Sequence, residues 1–123
     1  MRGGADRRQL AALALGGAAG ALLRVWIAHR VGGAGGGWPW ATFSINVSGA
    51  LLLGYITAGP PGSLLAISFC GAFTTFATMQ VEILAMLERH DYGLAVAYGL
   101  GSAAAGYLAV RVTAAARRRP VAT

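Results

Sequence analysis

The chain is poor in the charged residues that a soluble protein uses to cover its surface. Charged residues make up 11% of the 123 residues, and only four of them are Asp or Glu. Hydrophobic residues make up 56%, and the mean hydropathy is +0.59. This is too little charge to coat a water-soluble globule of this size. The composition therefore predicts a single-domain, all-α membrane protein over residues 1–123, with lipid around most of its surface.

Cysteine is almost absent, since Cys70 is the only one. A single thiol cannot form an intramolecular disulfide, and no partner for a metal site is spaced near it. Cys70 is therefore expected to be a small buried hydrophobe rather than a redox group. The chain also has no Ser-His, Cys-His or paired-carboxylate spacing, and His29 and His90 lie at the edges of loops. An intramembrane enzyme is therefore the least favoured class of function.

The formal net charge of +6 comes from arginines that lie almost wholly outside the apolar segments. Nucleic-acid binding is not expected, because these arginines are not interleaved with aromatic residues. Seven arginines flank the two termini and two lie in the other loops: Arg2, Arg7, Arg8, Arg111, Arg117, Arg118 and Arg119, against Arg30 and Arg89. With an even number of spans, the positive-inside rule predicts a multi-pass protein of the cell membrane with both termini in the cytoplasm.

Four apolar segments have about the length that a membrane-spanning helix needs. They cover approximately residues 10–28, 38–58, 63–87 and 93–110. The first segment contains Arg24 and is not followed by a small-residue cleavage site, so it is predicted to be a span rather than a signal peptide. It also contains Gly16 and Gly20, and this GxxxG spacing favours close packing against a second helix.

The stretch GAFTTFATMQVE, from Gly71 to Glu82, is unusual for a lipid-buried helix. It places a glycine, adjacent threonines and a carboxylate within or next to an otherwise apolar run. Glycine is conformationally permissive, and threonine hydroxyls compete for backbone partners. The pattern therefore predicts that the third helix is broken at mid-membrane. Its polar groups are expected to face protein, an ion or a narrow wet path.

Several polar residues of the predicted spans allow two interpretations. Asn46, the only asparagine, can hydrogen-bond between helices or line a pathway. Arg24 can extend to the membrane interface or act electrostatically near an anion entrance. Glu82 can be an interfacial carboxylate or can line a wet vestibule. Tyr98 and Ser102 are four residues apart and are predicted to share one face of the fourth helix.

Four spans of this size cannot enclose a pore alone, so the packing faces indicate assembly. The chain resembles the Fluc fluoride-channel family, also called CrcB, in GGAAGALLRVWI, TFSINVSGALLLGYI, FCGAFTTFATMQVE and the Tyr98 and Ser102 pair. The resemblance covers nearly the whole chain, and its Asn-x-x-Gly and Gly-x-x-Thr-Thr-Phe elements are specific in combination. It implies an antiparallel, dual-topology dimer whose two narrow pores let fluoride leave the cell passively.

The resemblance also implies roles for individual residues. A structural sodium ion at the dimer centre would be held by backbone carbonyls at the positions of Gly71 and Thr74. The residues implied in the pore are Asn46, Thr75, Phe76, Thr78, Tyr98 and Ser102, and those implied in the vestibule are Arg24 and Glu82. Phenylalanine ring edges, hydroxyls and amides can replace the water around a small, strongly hydrated anion.

The chain departs from this pattern at Met79. Similar sequences usually read Thr-Thr-Phe-Ser-Thr-Phe, whereas this chain reads Thr-Thr-Phe-Ala-Thr-Met from Thr74 to Met79. Methionine has no ring edge, so one anion contact in the pore is missing. The arginine bias also favours a single orientation. Together these features favour a heterodimer with an oppositely oriented homologue that supplies the missing phenylalanine, and a homodimer stays open.

Two other classes of membrane protein stay open beside a channel. A small multidrug-type proton-coupled transporter is also a four-span antiparallel dimer, but it needs a carboxylate in the first span. Here Glu82 in the third segment is the only candidate. A non-conducting structural subunit would explain the GxxxG spacing, but it gives no reason for polar residues on three helices.

Overall fold

A computed structural model describes residues 6–32, 36–60 and 63–118, and its secondary structure in these ranges is entirely helical. The helices are α1 (Arg7–Val31), α2 (Trp40–Thr57), α3 (Leu64–Phe73), α4 (Phe76–Glu88) and α5 (Tyr92–Arg118). The predicted all-α class is confirmed. Arg2 and Arg119, which enter the charge comparison, lie outside the described residues.

Three helical stretches within the described ranges are long and apolar enough to cross a membrane. They are α1, the stretch Leu64–Glu88 that comprises α3 and α4, and α5. Helix α2 has 18 residues, which at a rise of about 1.5 Å per residue gives about 27 Å, close to the hydrocarbon thickness of a bilayer. The chain is therefore a membrane protein. The presence of four spans and their exact limits stay a prediction.

Close packing of the helices depends on glycines that face a neighbouring backbone. A Cβ atom at Gly16 would overlap the carbonyl oxygen of Leu65, and one at Gly20 would overlap that of Phe69, so both glycines lie directly against α3. The close approach predicted from the GxxxG spacing is confirmed. Gly54 of α2 meets the backbone of Val110 in α5 in the same way. Helix α1 thus pairs with α3, and α2 pairs with α5.

A buried hydrophobic cluster lies between the ends of α2, α4 and α5. Met86, Ala95 and Tyr98 form its buried centre. The Trp38 ring meets the Tyr98 ring edge-on, with 5.4 Å between the ring centroids. This cluster packs around the Tyr98 side chain. Cys70 is buried as a free thiol elsewhere, as expected for a small hydrophobe.

Candidate functional site

The third predicted span is interrupted at two residues. Helix α3 ends at Phe73 and α4 begins at Phe76, while Thr74 and Thr75 have extended backbone conformations. The φ and ψ angles are −77° and 155° at Thr74 and −145° and 103° at Thr75. The prediction of a broken third helix is confirmed. Gly71 remains helical, so the break follows it by three residues.

Asn46 of α2 holds the break through both ends of its side-chain amide. The Thr75 backbone N–H donates to Asn46 Oδ1 at 2.8 Å, and Asn46 Nδ2 donates to the Thr75 carbonyl at 3.1 Å. In a continuous helix, the Thr75 N–H would instead donate to the carbonyl of Gly71, four residues earlier. Asn46 therefore substitutes for a helical hydrogen bond. Of its two predicted roles, hydrogen bonding between helices is the one that these contacts display.

Other polar groups of the break are also paired. Arg24 Nε of α1 donates to the Ala72 carbonyl at 3.0 Å, so the guanidinium lies at the end of α3. Thr75 is the N-cap of α4, because its hydroxyl oxygen accepts from the Thr78 N–H at 3.2 Å. The Thr75 hydroxyl donates in turn to the Thr78 hydroxyl at 2.9 Å. Two hydroxyls and one guanidinium are thereby ordered around the break.

Some backbone carbonyls at the break differ from these because they accept no hydrogen bond from the described residues, and those of Gly71 and Thr74 are among them. A carbonyl in an apolar environment normally meets water, an ion or another chain when it has no partner within its own chain. A Cβ atom added at Gly71 would meet nothing within 4 Å. The Gly71 position is therefore open to a partner outside this chain.

Two clefts meet at the connection between Asn46 and Thr75. The first, here called the arginine cleft, has a volume of about 300 Å³, and its lining includes Arg24, His29, Thr42, Ile45, Thr75 and Thr78. The second, here called the phenylalanine cleft, has a volume of about 310 Å³ and is lined by Asn46, Thr74, Phe76, Met79, Ser102 and Ala103. Hydroxyl and amide groups thus line both sides of the broken segment.

In the phenylalanine cleft, one polar atom lacks a hydrogen-bond partner and one aromatic ring is largely exposed. The Ser102 hydroxyl is buried and has no hydrogen-bond partner within the described residues. The Phe76 side chain is 70% exposed, although it lies in an apolar chain. Met79 lines the same cleft and also packs against the Tyr98 cluster. Phe76, Met79 and Ser102 therefore line one cleft, and their pore roles stay a prediction.

Tyr98 belongs to a different group from Ser102. Its hydroxyl donates to Glu82 Oε2 at 2.6 Å, and the Thr42 hydroxyl donates to Glu82 Oε1 at 2.6 Å. Both carboxylate oxygens are therefore held by hydroxyls of α2 and α5. Helical spacing predicts that Tyr98 and Ser102 share a face, but it does not show that a carboxylate of α4 lies opposite Tyr98.

Sequence reasoning missed two residues of the arginine cleft. Thr42 lies four residues before Asn46 and therefore on the same face of α2, which is a signal that could have pointed to it. His29 lies five residues after Arg24, near the end of α1, where its position resembles an ordinary loop edge. Only the packing of α1 against the broken segment brings it into the cleft.

Comparison with known proteins decides the family. Residues 11–114 match the model of the family described as CrcB-like protein, Camphor Resistance (CrcB). This chain belongs to the CrcB family. The matched range includes every candidate site residue from Arg24 to Ser102.

Curated relatives of this CrcB-family chain carry a consistent name. The protein named fluoride-specific ion channel FluC 1 from Mycolicibacterium paratuberculosis is 47% identical, and the alignment covers 93% of each chain. The FluC 1 protein of Mycobacterium tuberculosis is 43% identical over the same shares. The FluC protein of Thermus thermophilus is 37% identical, over 78% of this chain and 83% of the relative.

Proposed function

We propose that this chain is a subunit of a fluoride-selective ion channel that lets cytoplasmic fluoride leave the cell passively and so lowers its concentration there. The observation that carries the proposal is the broken segment between two clefts. Asn46, Thr75, Thr78 and Ser102 supply amide and hydroxyl groups there, and Phe76 supplies a ring. Such groups can replace the water of a small anion. The names of the curated relatives agree with this chemistry.

The proposed channel is an antiparallel dimer. The main support is that important groups of the site face away from this chain: the Phe76 ring is 70% exposed, and the helix surface at Gly71 is open. A twofold-related chain would cover both and complete the walls of the clefts. In such an assembly an exposed aromatic ring lines a pore rather than contacting lipid.

A structural sodium ion at the dimer centre is part of the proposal. The carbonyl oxygens of Gly71 and Thr74 fit such an ion because they accept no hydrogen bond from the described residues. Sodium is a hard cation for which peptide oxygens are suitable ligands. Two copies of the break would bring together carbonyls from both chains. The residues that hold the ion are then the same ones that form the interface.

The partner is proposed to be an oppositely oriented homologue rather than a second copy. Met79 takes the place of a phenylalanine in the phenylalanine cleft, so a homodimer would lack that ring in both pores. The arginine bias favours one orientation of this chain, with both termini in the cytoplasm. Lipid and fluoride are its other partners.

Fluoride efflux from loaded liposomes tests the proposed function. The chain is reconstituted alone and with any neighbouring four-span homologue, and fluoride and chloride efflux are compared with protein-free liposomes. We expect fluoride efflux well above background and chloride efflux at background. Efflux of fluoride by the chain alone as a stable dimer would contradict the heterodimer. A proton-coupled transporter would instead require a pH gradient, and a structural subunit would give no efflux in either preparation.

Substitution at Gly71 is expected to disrupt the dimer without unfolding the chain. A Cβ atom at Gly71 meets nothing within 4 Å, so a leucine there would extend its side chain into the proposed interface, where overpacking typically costs about 1–3 kcal/mol. That cost corresponds to a loss of roughly five- to 150-fold in dimer affinity. Size-exclusion chromatography with light scattering in detergent measures the dimer fraction. Gly17→Leu is the matched control, since Gly17 is also an open helical glycine. An intact dimer in Gly71→Leu would place the interface elsewhere.

Tyr98 is expected to stabilise the fold through its hydrogen bond to Glu82. Tyr98→Phe and Glu82→Gln should each lower the free energy of unfolding by about 1–3 kcal/mol, because hydrogen bonds to a charged group are among the stronger ones. The double variant should lose less than the sum by about 1 kcal/mol. Denaturation in mixed micelles measures these values, and Tyr107→Phe is the control because Tyr107 is an exposed tyrosine of the same helix. Additive losses would mean that the two side chains act independently.

A further inference from the structure

The arginine cleft contains a second basic residue, His29. It lies near the end of α1, is exposed, and lines the cleft together with Arg24 and the hydroxyl-bearing Thr75 and Thr78. Its ring makes no hydrogen bond or ion pair with any of the described residues. A positive charge in the last turn of a helix is favoured by the helix dipole. This end of the helix therefore favours a positively charged side chain in the cleft.

No charged group among the described residues acts as a counter-ion to His29. On α1, Arg24 is bound to the Ala72 carbonyl, and Arg30 lies over the Trp26 ring at 5.4 Å. Helix α2 contributes Thr42 and no charge to the cleft. On α4, Glu82 is held through both oxygens by Thr42 and Tyr98. An anion that enters the cleft would be the first free negative charge to meet the imidazole.

We propose that protonated His29 draws fluoride into the arginine cleft, so that entry at this end of the channel increases as the pH falls. The proposal rests on the proposed fluoride channel and adds an anion-attracting residue to it. A histidine changes its charge between about pH 5 and 8, and as a cation it offers two N–H donors. Positive charge in a cleft raises the local concentration of anions and their rate of entry. Arg24 supplies a constant charge and His29 a variable one.

The linkage between proton and fluoride gives a test that does not require conduction. If protonation of His29 favours fluoride, fluoride must favour protonation of His29 by the same factor. The chain has only two histidines, so the imidazole signals can be followed by NMR in micelles and assigned with His90→Gln. In NaF, relative to NaCl at the same concentration, the titration midpoint of His29 should move to higher pH by about 0.3–0.5, a factor of two to three.

His90 is the internal control for this titration. It lies in the turn after α4, where its Nδ1 is 2.8 Å from the Tyr92 hydroxyl, and it lines neither cleft. Its titration midpoint should be the same in both salts. Equal midpoints for His29 in NaF and NaCl would overturn the proposal, as would equal shifts of both histidines.

Flux measurements provide the second test. With protein-free liposomes subtracted at each pH, fluoride efflux should be about two- to tenfold faster with pH 5.5 on both sides of the membrane than with pH 8 on both sides. His29→Gln should give the slower efflux rate at both pH values, and His29→Arg should give the faster rate at both. His90→Gln should keep the pH dependence of the unsubstituted chain. Efflux that keeps its pH dependence in His29→Gln would overturn the proposal. Absence of efflux at every pH would count against the channel itself, and the NMR titration would then decide the role of His29.

Discussion

Fluoride efflux by the Asn46→Ala variant is expected to fall by at least about tenfold. The substitution removes both hydrogen bonds to Thr75, and each buried polar group left unpaired costs about 1–3 kcal/mol. The freed Thr75 N–H can then return to the Gly71 carbonyl, as in a continuous helix. That change would close the break, reshape both clefts and remove a proposed sodium ligand. Liposome efflux measures the loss.

Hydrogen exchange at the Thr75 amide separates the two roles of Asn46. If Asn46 holds the break, Asn46→Ala changes both the efflux and the protection of this amide. If Asn46 only donates to the anion, efflux falls while the protection stays as in the unsubstituted chain. Asn46→Asp keeps the oxygen that accepts from Thr75 but loses the Nδ2 donor, so it should give an intermediate protection. Ser44→Ala, an exposed position on the same helix, is the control. Unaltered efflux in Asn46→Ala would remove Asn46 from the site.

Replacement of Gly20 by alanine is expected to destabilise the fold by about 1–3 kcal/mol, the usual cost of overpacking. The new Cβ would overlap the Phe69 carbonyl and approach the Phe73 backbone N–H. Backbone atoms cannot move aside as a flexible side chain can, so α1 must separate from α3. Because Phe73 is the last residue before the break, efflux should fall as well. Denaturation in mixed micelles and liposome efflux measure the two effects.

Gly17→Ala is the control that isolates the packing contribution. Both glycines lie in α1, so alanine should gain the same helix propensity, up to about 1 kcal/mol, at either position. A Cβ atom at Gly17 meets nothing within 4 Å. Gly17→Ala should therefore be neutral or stabilising, and the difference between the two variants reports the contact with α3. Equal stability of the two variants would show that α1 and α3 are not in close contact.

The break illustrates how far local sequence could predict the site. Gly71 and the threonine pair indicate a weak point in the third span, because glycine and threonine both disfavour a regular helix. They do not give its position. The break lies at Thr74 and Thr75 because a residue of α2, 29 positions away, takes the Thr75 N–H. A residue that distant in sequence leaves no periodic signal at the break.

The roles of the polar side chains could be predicted less well, because their partners also lie far away in sequence. Helical spacing places Tyr98 and Ser102 on one face, but it gives no information about what packs on that face. In the fold, Glu82 accepts a hydrogen bond from the Tyr98 hydroxyl, whereas Ser102 lines the phenylalanine cleft. Arg24 bonds to a carbonyl 48 positions away, which neither of its two predicted roles anticipated.

The amino-acid sequence by itself determined the membrane character, the helical class and the glycine faces of this protein, because hydropathy and small-residue spacing are local properties that act wherever the chain lies. Only the tertiary structure decided which polar groups meet. Arg24, Asn46, Thr42 and Glu82 each find partners that lie between 16 and 48 positions away. In an apolar interior, each polar group must find a partner among whichever groups the packed helices bring within about 3 Å, and that selection depends on the packing of all the helices together.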